Sequence, residues 1–598
     1  MDIEKILTRS EVPTEYKWAV EDLYASDEIF LQELDKFKSN IEEIERFKQN
    51  GLNDAASLLE YYKFTNAMIP FITKLYNYAM LNNDSDTSNT LYQDFKDRIM
   101  SAFISYNSAV SFVMPRLMEF SDEELEQFYK DEPELLLFKG DIDDNRRLKA
   151  HILDEKGEMM MAMAGEMMDT PDNIYSILSD ADLKFDKVSY EGKDYELTQS
   201  SYITLIEKPQ RELRKLAFKT LYKTYAQFKN TYATLLSAQV KALAFSSKLR
   251  NYGSSLEASL DSSNVDTAVY YNLIDTVHEN MHYMHEYVSL RKKLLGVDEL
   301  HMYDIYAPLV EEASRKITFE EAKSNVLDAM SVFGDEYLSV LKSGFENRWI
   351  DIYENKGKRS GAYSCGDFTH PFVLLNHKDN LDSEFTLAHE MGHAMHSYMS
   401  NKHQEPIYAE YKLFVAEVAS TCNEALLMQY LLKKTTDKKE RAALINYFLE
   451  QFKGTLYRQA MFAEYEMKIN ELYAKGEPLT ADVLCSLYKK INEEYFGPDM
   501  VLDDEIELEW IRIPHFYYNF YVYQYATGFS AAIALSTRIL KEGAPAVERY
   551  LNFLSAGCTK DPVALLRDAG VDMASPEPVR TALELFGSLI KEMEELTA

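Results

Sequence analysis

Chain breakers are scarce here. Glycine and proline occur 21 and 16 times among 598 residues, about half their usual combined share of roughly 12%. Tight turns draw on those residues, so a long chain with few of them is expected to run in long helices. Sandwich, barrel and collagen-like folds, which need frequent turns or periodic glycine, are not expected. At roughly 150 residues per domain the length corresponds to about four domains, which large helical bodies often merge into one. With 46% hydrophobic and 27% charged residues, the chain has enough apolar surface to bury a substantial core.

The net charge of −34 repels phosphate backbones, and no basic stripe offsets it, so nucleic acid is not expected as a partner. The densest basic group, Lys433–Lys434 with Lys438–Lys439, is short and lies beside acids. Cys365, Cys422, Cys485 and Cys558 are far apart and form no CxxC pair, a usage that suits a reducing compartment. Met1 to Pro13 is charged and lacks the apolar stretch of a signal peptide. No apolar run reaches about 18 residues, so no membrane span is expected. These features together predict a cytoplasmic protein.

Helical patterning opens the chain. Ser26 precedes Asp27–Glu28 and then Phe30, Leu31, Leu34 and Phe37; Ser121-Asp-Glu-Glu124 precedes Leu125 and Phe128. Both are N-cap signatures followed by helical apolar spacing. The Met-rich stretch Met159–Met168 reads as adaptable core packing. Between about Leu183 and Leu205 β-favouring runs flank Glu191-Gly192-Lys193-Asp194, which predicts a hairpin and the best domain boundary. Helices resume from Glu207 to about Phe333, with breaks near Asn251-Tyr-Gly253 and Gly296. A second β-like island covers Gly361–Asn376, and everything beyond Ser383 reads as helix. Asp503–Glu509 reads as a solvated helix entry.

Two segments match His-Glu-x-x-His: His389-Glu390-Met391-Gly392-His393 and His278-Glu279-Asn280-Met281-His282. On a helix, positions i and i+4 share a face, so two imidazoles can hold one zinc ion and the intervening Glu can act on water beside it. Flanking sequence decides between the two. The first lies in a mostly apolar helix, Ser383-Glu-Phe-Thr-Leu-Ala388 before it and Ala394-Met395 after it, suited to a dry metal shell. Downstream, Phe414-Val-Ala-Glu417-Val-Ala-Ser420 sets a lone carboxylate in an apolar helix, costly unless it is paired or ligating. Glu417 lies 24 residues beyond His393, room for a helix, a turn and a returning helix. Glu424, seven residues on, can orient a ligating His. The segment at His278 has no such partner and reads as a solvated helix face.

Thr386-Leu-Ala-His-Glu-Met-Gly-His-Ala-Met-His396 and Phe414-Val-Ala-Glu-Val-Ala-Ser-Thr-Cys-Asn-Glu424 resemble oligoendopeptidase F, of the thimet-oligopeptidase group of zinc metallopeptidases. The likeness extends to Glu11–Trp18, Gly361–Ser364, Ile513–Tyr521 and Tyr525–Gly528, and so spans essentially the whole chain. It implies a mainly α, two-lobed body with a deep channel that admits short peptides, and small β elements near the zinc helix. It also implies an N-terminal region over 1–200 ahead of a catalytic domain over 201–598. Carried over, His389, His393 and Glu417 would ligate one Zn²⁺ and Glu390 would be the general base. Such an enzyme would hydrolyse internal bonds of short peptides.

The oxyanion formed during hydrolysis needs hydrogen-bond donors. His515, Tyr518 and Tyr525, at i, i+3 and i+10, are expected to span about 80° of one helix face, and with the resemblance they are the predicted donors. Tyr521 is an alternative to either tyrosine. Pro371–Asn376 is expected to offer a sheet edge to an extended peptide. His370 and His377 read as turn or surface residues, and His396 as a packing residue, since a fourth protein ligand would close the catalytic position. Two rivals remain at this level. A carboxypeptidase or dipeptidyl-carboxypeptidase would need a cation for the substrate terminus, and Arg512 is available in sequence. A non-catalytic peptide-binding scaffold is opposed by the intact Glu390, both His and Glu417.

Overall fold

The computed structural model describes residues 6–310 and 316–598. These residues are mainly helical, and the helices begin where side chains can satisfy the free N–H groups of a first turn. The Ser26 hydroxyl accepts from Ile29 N at 3.5 Å at the start of Asp27–Asn50. Ser121 and Glu124 cap each other's backbone ahead of Asp122–Asp131. The longest helix, Arg211–Leu249, runs 39 residues, and the next break falls at Asn251, whose φ is 61°. Gly296 closes Met281–Leu295 in the left-handed conformation that lacks a steric penalty only for glycine.

Strands are short. β1 (Val188–Tyr190) and β2 (Lys193–Tyr195) pair antiparallel, the hairpin expected there, but its turn is only Glu191 and Gly192, both at positive φ, and Lys193 and Asp194 belong to the second strand. β3 (Leu300–His301) runs parallel to β7 (Met500–Val501), a small exception to the all-helical reading beyond Ser383. β4 (Ile350–Asp351), β5 (Tyr363–Cys365) and β6 (Phe372–Leu374) form one sheet in the order β4-β6-β5.

The chain divides into two compact units, and neither is one continuous stretch. The first comprises Met1–Ala150, Arg315–Tyr430 and Leu535–Gly570; the second comprises His151–Ser314, Leu431–Ala534 and Val571–Ala598. In the first, the helices Asp27–Asn50, Ala55–Ser85 and Thr90–Val110 bury Phe30, Leu34, Phe37, Leu75, Phe95 and Ile99 together with Trp18, Phe372 and Leu374. The N-terminal helices therefore pack against β6, which leads directly into the helix Leu381–His403. Buried Asp351 ties this region together: Arg9 pairs with it at 2.6 Å, Lys358 at 2.7 Å, and Trp18 N donates to it at 3.3 Å.

The second unit is organised around Arg211–Leu249, with Tyr222, Tyr225 and Tyr232 fully buried along it. Two sequence expectations change here. Met159, Met160, Met163 and Met167 lie on the outside of the helix Glu155–Met168, 57–75% exposed, and do not fill a core. Helical spacing identifies an apolar face but cannot say whether another element covers it. Glu509 is buried and pairs with Arg458 at 2.8 Å and Tyr488 at 2.7 Å, so only part of Asp503–Glu509 is solvated.

Candidate active site

Asn380 starts the helix Leu381–His403 by accepting from Ser383 N at 2.9 Å, three residues earlier than the sequence suggested. One turn apart on this helix, the rings of His389 and His393 stand 4.9 Å apart at 77°. The returning helix Leu413–Lys434 brings Glu417 to both: its Oε2 lies 3.2 Å from His389 Nε2 and 3.4 Å from His393 Nε2. The three donor atoms lie within 4.8 Å of one another. A tetrahedral zinc ion with bonds of about 2.0–2.1 Å sets its ligand atoms about 3.3–3.4 Å apart, so this spacing fits.

Around the donors, further contacts fix their aim. His389 Nδ1 meets Glu424 Oε1 at 2.5 Å, a contact that would hold the proton on Nδ1 and turn Nε2 toward Glu417 and the candidate metal position. Ser420 Oγ donates to Glu417 Oε2 at 3.2 Å. Burial opposes charge on His389, but Glu417 and Glu424 outweigh it and raise its pKa well above the ordinary imidazole value. Conversely, burial acts to raise Glu417, yet the His389 and His393 imidazoles hold it well below the usual carboxylate range. The group therefore favours bound positive charge.

Glu390, between the two histidines, is 6% exposed, and its Oε2 has no hydrogen-bond partner among the described residues. Burial raises its pKa, against the pull of the neighbouring imidazoles. A carboxylate so placed is a better proton acceptor than an exposed one.

Two contacts that the sequence reading missed hold these helices together. A Cβ on Gly392 would sit 2.6 Å from Ser420 Cα and 2.8 Å from Ala419 O, so glycine is what allows the backbones to approach. A glycine inside a helix costs about 1 kcal/mol relative to alanine, and that anomaly was the available signal. Asn423 Nδ2 donates to Ala388 O at 3.2 Å across the same junction. His396 is buried and stacked on Tyr411 at 3.7 Å; burial pushes its pKa down to about 3, which keeps it neutral. It packs, as its sequence position suggested.

Several other expectations are corrected. His370 and His377 are buried, not surface residues: His370 stacks on Trp349 at 5.3 Å, and His377 lies edge-on to Phe319 at 5.4 Å. β6 is the middle strand of its sheet, hydrogen-bonded on both sides, so Pro371–Asn376 cannot offer an edge; β5 lies at the margin instead. Arg512 is packed over the Tyr202 ring at 4.6 Å, beside Glu509 and Tyr222. A cation so engaged is not available to a substrate carboxylate.

The segment around His278 is interrupted. One helix ends at Glu279 and the next starts at Met281, so His278 and His282 do not share a helical face. His278 is not simply solvated either: its Nε2 bonds Glu464 Oε2 at 2.7 Å, near Glu494. Lys468 takes the other Glu464 oxygen at 2.8 Å. The Glu464 hydrogen bond raises the His278 pKa, and Lys468 already supplies the positive charge that a metal would bring to Glu464.

His515, Tyr518, Tyr521 and Tyr525 belong to the second unit, whereas His389, Glu390, His393, Glu417 and Glu424 belong to the first. The single helical stripe does not form. Pro514–Tyr517 is a short 3₁₀ turn, and the next helix starts at Tyr523. Between them Asn519 and Phe520 have φ of 50° and 61°. Side chains such as these rarely adopt positive φ, so periodicity gave no warning of the break. The rings still converge: His515 lies 5.5 Å from Tyr518, 6.3 Å from Tyr521 and 6.0 Å from Tyr525, and Tyr521 lies 5.4 Å from Tyr525. Burial lowers the His515 pKa, so it presents a neutral imidazole.

Comparison with known proteins adds an independent line. The model for peptidase family M3 matches residues 204–585, and that for oligopeptidase F matches 116–185. Oligopeptidase PepF of Bacillus subtilis (strain 168) is 45% identical over 590 residues, covering 98% of this chain and 88% of that protein. The plasmid-borne oligoendopeptidase F of Lactococcus lactis subsp. cremoris is 39% identical, covering 98% of each chain. The crystal structure of oligoendopeptidase-F from Enterococcus faecium superposes with a TM-score of 0.73 at 36% identity, covering 96% of this chain and 99% of that one.

Proposed function

This chain belongs to peptidase family M3, in its oligoendopeptidase F branch, and on that basis we propose that it cuts internal bonds of short peptides at one zinc ion held by His389, His393 and Glu417. It is a metallopeptidase that acts on peptides, and the metallopeptidases of this family use zinc. The observation that carries the finer reading is the donor spacing, 3.2 and 3.4 Å from one Glu417 oxygen to two imidazole nitrogens. When bound, zinc would supply Lewis acidity, polarising the scissile carbonyl and acidifying water.

The protein groups do the rest. Glu424 keeps His389 in the tautomer that faces the metal. Glu390 takes a proton from the attacking water and passes it to the leaving amine; its raised pKa lets it hold that proton between the two steps. His515, Tyr518 and Tyr525, with Tyr521 beside them, donate hydrogen bonds to the oxyanion, where one donor typically contributes about 10²–10³ in rate. β5, at the sheet margin, offers backbone groups to an extended peptide, which suits tolerance of many side chains. The N-terminal region over 1–200 and a catalytic region over 201–598 remain the proposed sequence division, supported by the two matched spans. A cytoplasmic location is supported by four free cysteines, and no described helix is long and apolar enough to cross a membrane.

The test is digestion of a mixed peptide library, with cut sites read by mass spectrometry. Internal cuts should persist when C-termini are amidated and cease with chelator. Cleavage that stalls on amidated peptides would support the carboxypeptidase reading, against which the packing of Arg512 stands.

A further inference from the structure

The loop that carries the proposed oxyanion donors is held by two side chains that the chemistry so far does not use. Glu466, on the helix Arg458–Ala474, accepts from Phe520 N at 2.6 Å. Gln239, on Arg211–Leu249, donates from Nε2 to Tyr517 O at 3.0 Å and to Asn519 Oδ1 at 3.1 Å. Both are buried, and each keeps one oxygen without a hydrogen-bond partner among the described residues: Glu466 Oε2 and Gln239 Oε1. Burial pushes the Glu466 carboxyl up to about 8, against the pull of Phe520 N–H. A connecting loop alone would not call for a buried acid, nor for two consecutive non-glycine residues at positive φ.

We propose that Glu466, assisted by Gln239, is the positioning residue that sets the aim of the His515, Tyr518, Tyr521 and Tyr525 donors. This rests on the reading that those donors serve the oxyanion. The geometry shows how it works. Phe520 is buried edge-on to Tyr270 at 5.7 Å, and the Tyr270 hydroxyl is fixed to Ala463 O at 2.7 Å on the same helix as Glu466. Glu466 and this aromatic seat hold the left-handed backbone at Phe520. Tyr518 precedes that bend and Tyr521 follows it, so relaxing Phe520 to an extended conformation would swing the two tyrosines apart around His515. Gln239 fixes the entry to the same bend. Donors aimed in advance stabilise the transition state more than the bound substrate, so their loss is read in kcat.

The experiment measures kcat and KM of the zinc-loaded full chain on a quenched fluorescent oligopeptide. Glu466→Leu removes the acceptor and should lower kcat at least tenfold, with KM within threefold and zinc content unchanged. Glu466→Gln keeps an oxygen for Phe520 N–H and should retain kcat within threefold. A folded Glu466→Leu protein with wild-type kcat overturns the proposal, as does Glu466→Gln falling as far as Glu466→Leu. Should Glu466→Leu not fold, Gln239→Leu decides: a several-fold fall in kcat at constant KM supports the proposal, and wild-type kcat overturns it. His515→Ala, Tyr518→Phe and Tyr525→Phe separate the two levels. If all three keep wild-type kcat, the donor reading fails and takes this proposal with it; if they lower kcat while Glu466→Leu does not, only the positioning role falls.

Discussion

Single side chains carry the chemistry, and their environments make it measurable. Glu390→Gln removes the proposed proton acceptor without altering the proposed metal donors. Turnover should drop about 10²–10⁴-fold, the usual contribution of a positioned base, while elemental analysis still finds zinc. Glu424→Leu leaves the three donors in place but frees the His389 ring, and zinc affinity should weaken about 10–100-fold by chelator competition. Glu466 gives a pH signature. Its carboxyl titrates near 4.5 when unfolded and about 8 when folded, so the folded form binds the proton more tightly. The associated stability is present below about 4.5 and is lost as pH rises through 8. Relative to wild type, the thermal midpoint of Glu466→Gln should therefore rise between pH 5 and pH 9; no change in that difference would show that Glu466 titrates normally.

Helix pairing is what turns separate motifs into a donor set. His389 and His393 share a face by helical periodicity alone, but Glu417 reaches them only because the helices Leu381–His403 and Leu413–Lys434 touch at Gly392. Gly392→Ala places a methyl group against Ser420 Cα and Ala419 O, backbone that cannot rotate away. Overpacking of this kind costs about 1–3 kcal/mol. The variant should keep its circular dichroism yet show weaker zinc binding by titration, because Glu417 is displaced with its helix. Unaltered zinc affinity would mean that the junction yields without moving the carboxylate. The loop between Tyr518 and Val522 shows the opposite relation: there a helix was expected and a bend formed, with the aromatic cluster surviving the change.

Over the whole molecule, sequence order and compactness diverge. The first unit draws on three separate stretches, and its metal-donor helix packs against residues contributed late in the chain: His396 lies 5.4 Å from Phe553, and Gln404 Nε2 donates to Ser555 O at 2.7 Å. A chain ending at residue 430 would contain every proposed metal ligand but lack Leu535–Gly570. It is expected to be insoluble or to bind zinc far more weakly than the full chain, as size-exclusion chromatography and zinc titration would show. A soluble fragment with full zinc affinity would establish that the late stretch is dispensable.

How much of this was legible in the sequence depends on the range of the interaction involved. Local steric and hydrogen-bonding rules act over a few residues, so helix dominance, the caps at Ser26 and Ser121, and the hairpin at Glu191–Gly192 followed from composition and spacing. The metal-donor candidates were also readable, because i and i+4 positions and an acid in an apolar helix are local patterns. Contacts between distant segments left no such trace. Only the tertiary structure decided that Met159, Met160, Met163 and Met167 would be exposed, that β6 would be a central strand, that Arg512 would be packed over Tyr202, and that Glu466 and Gln239 would grip the bend at Asn519–Phe520. Each of those outcomes depends on which surface meets which, and a one-dimensional pattern records the face of an element but not its partner.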